Sequence, residues 1–459
     1  VADASVRAPS AAIDAQSGNW PMISALMDGT GAMRKAGKAF LPQWPNEDAD
    51  SYKARLSQAT LHAVFKRTVI INAARPFSRA ISIGEETPPA VSDLLDDVDL
   101  QDSSMAAFAS QLMEDCLSFG MTGVLVDYPQ AGGVKTKADE LAAGIRPYLT
   151  RYPATTILGW KLKGKDLVQL RLLESVDVND GEYGTKPVEQ VRVLTPGAWQ
   201  TYQQDPQNAD VWNMTGEGST TLNFIPFVFF YGTRKGFGVG SSPLLDLAYQ
   251  NIEHYQSASD QQNILHIARV PILFAQGLGD TNITIGASSA TSTENPDAKL
   301  SFVEHGGQSI AAGRQSLLDL EDRMRATGAE LIAQKPAHVT ATQVSTEAEA
   351  SQSILQQIVE VFEESLEKCL NYMAAWIGQP QTAEVEIYKD FSAVTGSDPQ
   401  ALVSAQSAGA ISKQTLFDEL KRRDVIASDR DWQNETQLIA AEQAGVKQGP
   451  PDPAAVNTE

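Results

Sequence analysis

The chain has 459 residues, 42% of them apolar and 20% charged, with 33 glycines and 23 prolines; this composition is globular, excludes a disordered or fibrous chain, and at this length predicts two to four folded units. With 36 basic against 57 acidic side chains the net charge is −21, a field that repels nucleic acid and acidic membrane surfaces and excludes a conventional DNA-binding exterior. Two cysteines, Cys116 and Cys369, are too few for a disulfide framework, and both fall in apolar helical patterns that predict buried thiols in a reducing compartment.

Residues 1–17 contain no apolar run and no basic leader, so no secretory signal is expected. The longest apolar stretch, 222–231, is far shorter than the ~20 residues of a membrane-spanning helix. A soluble protein made in a cytoplasm is the expectation. Charge is uneven along the chain: 31–79 carries nine basic and three acidic residues, 93–128 eight acidic and no basic one, and 346–459 a net of −11. Opposite-sign segments invite self-association, while solvated faces of ordinary helices would give the same counts.

The first 80 residues read as helices separated by turns, with a loop at Pro42-Gln-Trp-Pro-Asn46 before a helix over 48–73 capped by Asp48 or Asp50. Pro88 and Pro89 interrupt the chain, and a helix over 104–119 stops at Gly120. Short apolar runs at 123–128, 167–173, 189–195, 199–203 and 224–231 predict strands, and hence a mixed or antiparallel sheet region across 120–232. Pro243 then opens a helix to about 269 whose middle, 250–263, is polar on nearly every face. Such a helix lacks a stripe wide enough to bury, which predicts that it bridges through solvent or packs against copies of itself.

Residues 272–313 are rich in Ser, Thr, Gly and Asn, with a short strand expected at 299–303. A second helix is expected over 314–332, with Leu317, Leu320, Met324 and Leu331 on one face and Asp319/Arg323 and Glu321/Arg325 at pairing distance. Pro336 and a run of Val and Thr keep 334–345 from being helical. The strongest helix signal follows over 346–377, where Ile354, Ile358, Val361, Phe362, Leu366, Cys369, Leu370, Met373, Trp376 and Ile377 recur at helical spacing and Glu360, Glu363, Glu364 and Glu367 occupy the other faces; at 1.5 Å per residue it would be ~45 Å long. A strand at 384–391, helices near 399–408, 412–423 and 429–444, and a disordered tail at 447–459 complete the expectation.

Catalytic motifs are missing from the sequence. Gly31-Ala-Met-Arg-Lys-Ala-Gly37-Lys38-Ala39 has one residue too many between its glycines, and an alanine where a phosphate-binding loop needs a hydroxyl. Gly236-x-Gly238-x-Gly240 lacks the βαβ setting of a dinucleotide site and reads as a flexible corner. The five histidines, His62, His254, His266, His305 and His338, form no linear metal-ligand or nucleophile motif. Asp96, Asp97, Asp99 and Asp102 lack the glycine and terminal glutamate of a calcium loop and read as a solvated acidic loop. No enzyme activity, cofactor or metal is expected.

The order of segments, a sheet-rich region, a polar helix, an inserted module, a second helix, a Thr/Val-rich loop and a very long helix, resembles the portal proteins of tailed bacteriophages. The local wording resembles one branch of them: Ala39-Phe-Leu-Pro-Gln-Trp-Pro-Asn-Glu47 with Tyr52-Lys-Ala-Arg55, Gly123-Val-Leu-Val-Asp-Tyr-Pro129, Arg146-Pro-Tyr148, Ile225-Pro-Phe-Val-Phe229, Pro243-Leu-Leu-Asp-Leu247 and Asn263-Ile-Leu-His266. The match is distributed from Asn19 to Trp376 and leaves the last 80 residues uncovered.

The resemblance implies an α+β fold of portal architecture. Residues 1–242 would form a wing, 243–269 and 314–332 two stem helices, 270–313 a clip, and 333–345 the channel loop. Residues 346–396 would be a long helix and return strand, and 397–446 a helical crown ahead of the tail. It implies a dodecameric ring at one capsid vertex of the virion, assembled in the host cytoplasm, with double-stranded DNA passing through it without sequence preference. Its partners would be the terminase large subunit, head-tail adaptor or tail proteins, and the major capsid protein and scaffold, with no membrane. Gln334, Lys335, His338, Thr340, Thr342 and Gln343 would line the channel loop, and Glu253, Gln256, Asp260 and Arg323 would face the channel from the stem. This loop offers just Lys335 and His338 as cations, a departure that weakens any firm grip on phosphate. Two rival readings are another virion structural protein, such as an adaptor, and a metal-dependent DNA-processing enzyme built on the 93–102 acidic cluster.

Overall fold

Side-chain caps set where the N-terminal helices begin. In the computed structural model, which describes residues 5–129, 145–268, 272–277, 296–303, 307–332, 353–389, 391, 403–404, 406–422, 426 and 430–446, Ser10 accepts the N–H of Ile13 and opens α1 (Ala11–Ser17). Pro21 sits in the first turn of α2 (Trp20–Asp28), which Gly29 separates from α3 (Thr30–Ala36). Asp48, in extended geometry, accepts the N–H groups of Asp50 and Ser51 and starts α4 (Ala49–Gln58).

The helix expected over 48–73 is two helices, α4 and α5 (Val64–Ala74). Propensity alone would carry it through, but partners distant in sequence hold the break open. Arg34 donates to the Ala59 carbonyl at 2.9 Å, and the Thr30 hydroxyl accepts the Leu61 N–H at 3.2 Å. Asn251 donates to the His62 carbonyl and accepts the Phe65 N–H, each at 2.9 Å. Every one of these bonds supplies a backbone group that a helix would otherwise have satisfied.

A short strand β1 (Ser82–Ile83) and the turn α6 (Pro89–Ser92) lead to α7 (Met105–Phe119), capped by Ser104 and ended by Gly120 in the left-handed conformation. Next comes β2 (Met121–Asp127), buried through Val126 because it is the middle strand of a three-stranded sheet. Its neighbours are β3 (Tyr148–Pro153) and, far along the chain, β9 (Phe227–Tyr231). Between them β4 (Ile157–Lys163), β5 (Asp166–Asp180), β6 (Gly184–Thr195), β7 (Ala198–Gln204) and β8 (Trp212–Ser219) form a five-stranded meander. All the recorded pairs in both sheets are antiparallel. Strands β3, β4 and β8 escape the sequence reading, and β8 shows why: it looks like a polar glycine-rich loop. A Cβ at Gly218 would lie 2.7 Å from the Trp199 ring across the ladder, so the glycine makes room for an aromatic neighbour.

The expected flexible corner at 236–240 is instead the hairpin of β10 (Thr233–Gly236) and β11 (Val239–Ser241). Gly238 has φ 67°, and a Cβ there would meet Trp160 at 2.5 Å. The Gln16 side chain fastens the turn by donating to the Gly238 carbonyl and accepting the Gly240 N–H. Two long helices follow, α8 (Leu245–Ala268) and α9 (Gly307–Ala329), with the antiparallel strands β12 (Ile272–Gln276) and β13 (Lys299–Val303) between them in sequence. Helix α9 begins seven residues before the expected 314, which shortens the module between the two helices.

Ser353 opens α10 (Ile354–Trp376) with a capping box closed by Gln356; residues 346–352 of the expected helix lie outside the described residues. Its buried stripe runs through Leu355, Ile358, Val359, Phe362, Leu366, Cys369, Leu370 and Met373, whereas Ile354 and Val361, expected inside, are 42% and 38% exposed. Two glutamates expected on outer faces turn inward. Glu363 accepts the Ile387 N–H and pairs with Lys389, both at 2.6 Å, and Glu367 accepts the Val385 N–H. These carboxylates take N–H groups that a second ladder would use, so the strand expected over 384–391 is reduced to β14 (Val385–Glu386), paired with β1.

The main core has Phe65, Leu112, Met121, Phe230, Phe362 and Leu366 among its buried members, and a smaller cluster of Leu158, Val191 and Val193 lies in the five-stranded meander. Cys116 and Cys369 are free and buried within the main core. A separate unit, 392–459, contains α11 (Lys413–Arg422) and α12 (Trp432–Val446), whose Phe417 and Trp432 rings meet at 5.4 Å. The expected helix near 399–408 is described only at 403–404 and 406–408, and the tail at 447–459 lies outside the described residues.

Candidate functional site

Helix α8 is polar and nevertheless buried, contrary to the expectation that its faces must seek solvent or other copies. Leu247, Ala248, Asn251, His254, Tyr255, Ser259 and Gln261 are buried, a stripe of helical spacing in which Asn251 and Gln261 are satisfied by hydrogen bonds to other segments. Asn251, 0% exposed, holds the α4–α5 break. Gln256 donates to the Phe40 carbonyl at 3.0 Å. A pattern search by apolar periodicity misses this stripe because the partners are backbone groups distant in sequence.

The α8–α9 pair is antiparallel, with Gln250 bonded to Thr327 at 3.2 Å near one end and Gln261 to the Ile310 carbonyl at 2.9 Å near the other. Between them Arg323 lies 3.7 Å from Glu253, both side chains exposed. Arg325 pairs with Glu321 at 3.2 Å, as expected, and also with Asp322. Asp319 accepts from Gln315 at 2.7 Å. Leu320, Met324 and Leu331 are buried, and Leu317 is half-buried.

Against α8 the segment 42–55 forms a tight ionic knot. Arg55 is nearly enclosed: its Nε and Nη2 each donate to a Glu47 oxygen at 2.8 Å, its Nη2 also reaches the Pro42 carbonyl at 2.8 Å, and its guanidinium lies 4.0 Å from the Trp44 ring centroid. These bonds from Arg55 hold the Glu47 carboxyl below its ordinary pKa. Asp260 of α8 approaches Arg55 at 3.9 Å with its side chain half exposed, and burial raises its pKa.

Of the expected stem residues, Glu253 and Arg323 therefore pair with each other on the surface, Gln256 is occupied within the chain, and Asp260 faces Arg55. The expected channel-loop residues Gln334, Lys335, His338, Thr340, Thr342 and Gln343 lie outside the described residues.

The two rejected motifs are placed clearly. Residues 31–36 of the phosphate-loop lookalike belong to helix α3. In the acidic loop, Asp97 accepts the N–H groups of Gln101 and Asp102 and pairs with Arg146, while Asp99 accepts those of Gln101 and Ser103. These carboxylates shape a tight turn in which Leu100 and Asp102 have positive φ.

A third group was invisible in the linear sequence. His62 in the α4–α5 break, His254 of α8 and Glu321 of α9 bring one ligand-type atom each to within 4.8 Å of one another. Glu321 Oε1 lies 3.4 Å from His254 Nε2 and 3.9 Å from His62 Nδ1, and the two rings meet edge to face at 5.2 Å. Burial, then the neighbouring His254, lowers the His62 pKa.

Residues 243–377, from the approach to α8 through the end of α10, match a family described as a domain of unknown function, DUF4055. No curated protein matches the sequence. Among solved structures, the chain is similar to one in the neck of an empty GTA particle computed with C6 symmetry, at TM-score 0.42 and 12% identity over 87% of this chain and 95% of that one. A chain from the neck of a native GTA particle computed with C12 symmetry gives TM-score 0.41 and 12% identity, covering 84% and 97%. One from the virion of a native gene transfer agent particle gives 0.38 and 12%, covering 89% and 98%. Likeness of this order is looser than a shared fold requires.

Proposed function

We propose that this chain is a portal subunit of a tailed bacteriophage or phage-like particle: a non-enzymatic component of a ring, dodecameric by the family resemblance, through which double-stranded DNA is packaged, retained and released. The observation that carries the reading is the antiparallel α8–α9 pair with the β12–β13 module inserted between its helices and the long α10 after it, together with the portal-like wording from Asn19 to Trp376. The site would sit at the portal vertex of the virion, with terminase docking first and adaptor or tail proteins later, and capsid protein and scaffold around it.

Charge favours a conduit over a binder. Duplex DNA carries about one charge per 1.7 Å of axis, so a wall of many basic contacts would hold it, whereas an acidic wall lets it slide. The conduit reading is favoured over the DNA-processing alternative by the roles of Asp97 and Asp99, which accept backbone N–H groups of their own loop, Asp97 also pairing with Arg146.

Negative-stain imaging and light scattering of the purified full chain test the proposal. The expected result is a closed annulus with a central hole, populated more fully as salt screens the −21 carried by each copy. A monomer at every protein and salt concentration tried would overturn it.

A further inference from the structure

We propose that His62, His254 and Glu321 form a divalent transition-metal site, selective for zinc over magnesium, that fastens both long helices to the break between α4 and α5. Three separate elements supply the donors, and they converge on one carboxylate oxygen. Glu321 Oε1 faces both imidazoles, at 3.4 Å from His254 Nε2 and 3.9 Å from His62 Nδ1. Tetrahedral zinc with ligands at 2.0–2.2 Å needs donor atoms about 3.3 Å apart. The first spacing already meets this, the second needs a closure of roughly half an ångström, and the ring nitrogens, within 4.8 Å of each other, need a closure of up to about 1.5 Å, which the partly exposed His62 can supply. Without an ion the same atoms are poorly used: 3.4 Å is a long hydrogen bond and 3.9 Å is none.

The surroundings suit a ligand set. The other oxygen of Glu321 accepts from Arg325 at 3.2 Å, which leaves Oε1 to the histidines and fixes the plane of the carboxylate. Asn251, one turn before His254 on α8, binds the carbonyl of His62 itself at 2.9 Å, so the two imidazoles are positioned from a shared support. The His254 side chain is 7% exposed and that of His62 34%, an arrangement with a buried inner ligand, an outer ligand that can adjust, and an opening for water at the fourth position. Arg67 and Arg325 are the nearby cations that oppose the ion; Arg325 is paired with both Glu321 and Asp322. Two imidazoles and one carboxylate are a borderline donor set, suited to zinc and poorly suited to magnesium, which prefers oxygen and retains its water.

The site is independent of the portal reading and is tested on the intact chain. After treatment with chelator, calorimetric titration with zinc chloride is compared with magnesium chloride in wild type, His62→Asn and Glu321→Gln, with circular dichroism confirming that each variant is folded. We expect one zinc per chain in wild type, a raised Tm on binding, no response to magnesium, and affinity weakened about 100-fold or more in either variant. Cobalt in place of zinc should give the visible absorption of a tetrahedral site in wild type and lose it in both variants. Absence of zinc binding in wild type, or binding of equal strength in the folded variants through other histidines, overturns the proposal.

Discussion

Asp115 of α7 shows how one buried carboxylate couples the fold to pH. It accepts from Thr122 at 3.0 Å and from Arg151 at 3.2–3.3 Å, yet burial outweighs these contacts and raises its pKa to about 6. The folded value lies above the unfolded value near 3.8, so the folded chain holds the proton more tightly between those pH values. Ionised Asp115 therefore costs stability above pH 6, roughly 3 kcal/mol for a shift of this size, and the cost disappears as pH falls towards 4. Glu47 acts in the opposite sense: its lowered pKa gives stability that is present above the unfolded value and is lost as pH falls through the folded one. Urea midpoints of wild type and Asp115→Asn should isolate the first effect. Raising pH from about 4.5 to 7 should cost wild type stability relative to the variant, whereas parallel curves would refute the assignment. None of this was readable beforehand: Asp115 appeared as one of eight acids in an uninterrupted acidic segment, and its burial depends on strands β2 and β3 closing over it.

At the scale of single elements, what the sequence revealed was local chemistry, and what it hid was tertiary. Asp48, Ser104 and Gly120 begin and end helices where their side chains or backbone freedom require. The Ser353–Gln356 capping box carried the same kind of signal, and the Ala- and Glu-containing run over 346–350, with its helix-forming residues, obscured it. The α4–α5 break had no such signal, because the groups that hold it lie on other elements, Thr30 and Arg34 on α3 and Asn251 nearly two hundred residues away on α8. The His62–His254–Glu321 group escaped for the same reason, with its members on three distant segments. The two kinds of control should differ in energy. Ser353→Ala removes one cap at a cost of about 1 kcal/mol. Asn251→Ala leaves the buried Phe65 N–H without its partner and the His62 carbonyl with the Val64 N–H alone, at a cost of about 2 kcal/mol. Denaturant titrations with unchanged slope would measure both, and an Asn251→Ala cost no larger than that of Ser353→Ala would show that the break does not depend on this side chain.

For the whole molecule, counting charges along the sequence gave the balance but not which charges pair across the fold. Arg55 of the basic segment is enclosed with Glu47, and in the acidic segment Asp97, Asp115 and Asp127 pair with Arg146, Arg151 and Arg192. Three of the eight acids of the acidic segment are therefore balanced by arginines from elsewhere in the chain. The argument that α8 needs sibling copies to shelter its polar face also lapses, since Asn251, Gln256 and Gln261 find partners in the same chain. The portal proposal rests instead on the α8–α9 pair with its inserted module and on the resemblance, and it makes a sharp demand on 334–345. If that segment lines the channel, it contributes to the moving DNA and little to the subunit core. Its deletion should then leave the Tm within a few degrees of wild type and leave the annulus intact by negative stain. Particles built with the deleted subunit should retain less nuclease-protected DNA, because a loop with Lys335 and His338 as its cations acts by position and contact more than by charge. A deletion that unfolds the subunit, or one that fills particles as well as wild type does, would remove 334–345 from the channel and the strongest functional expectation with it.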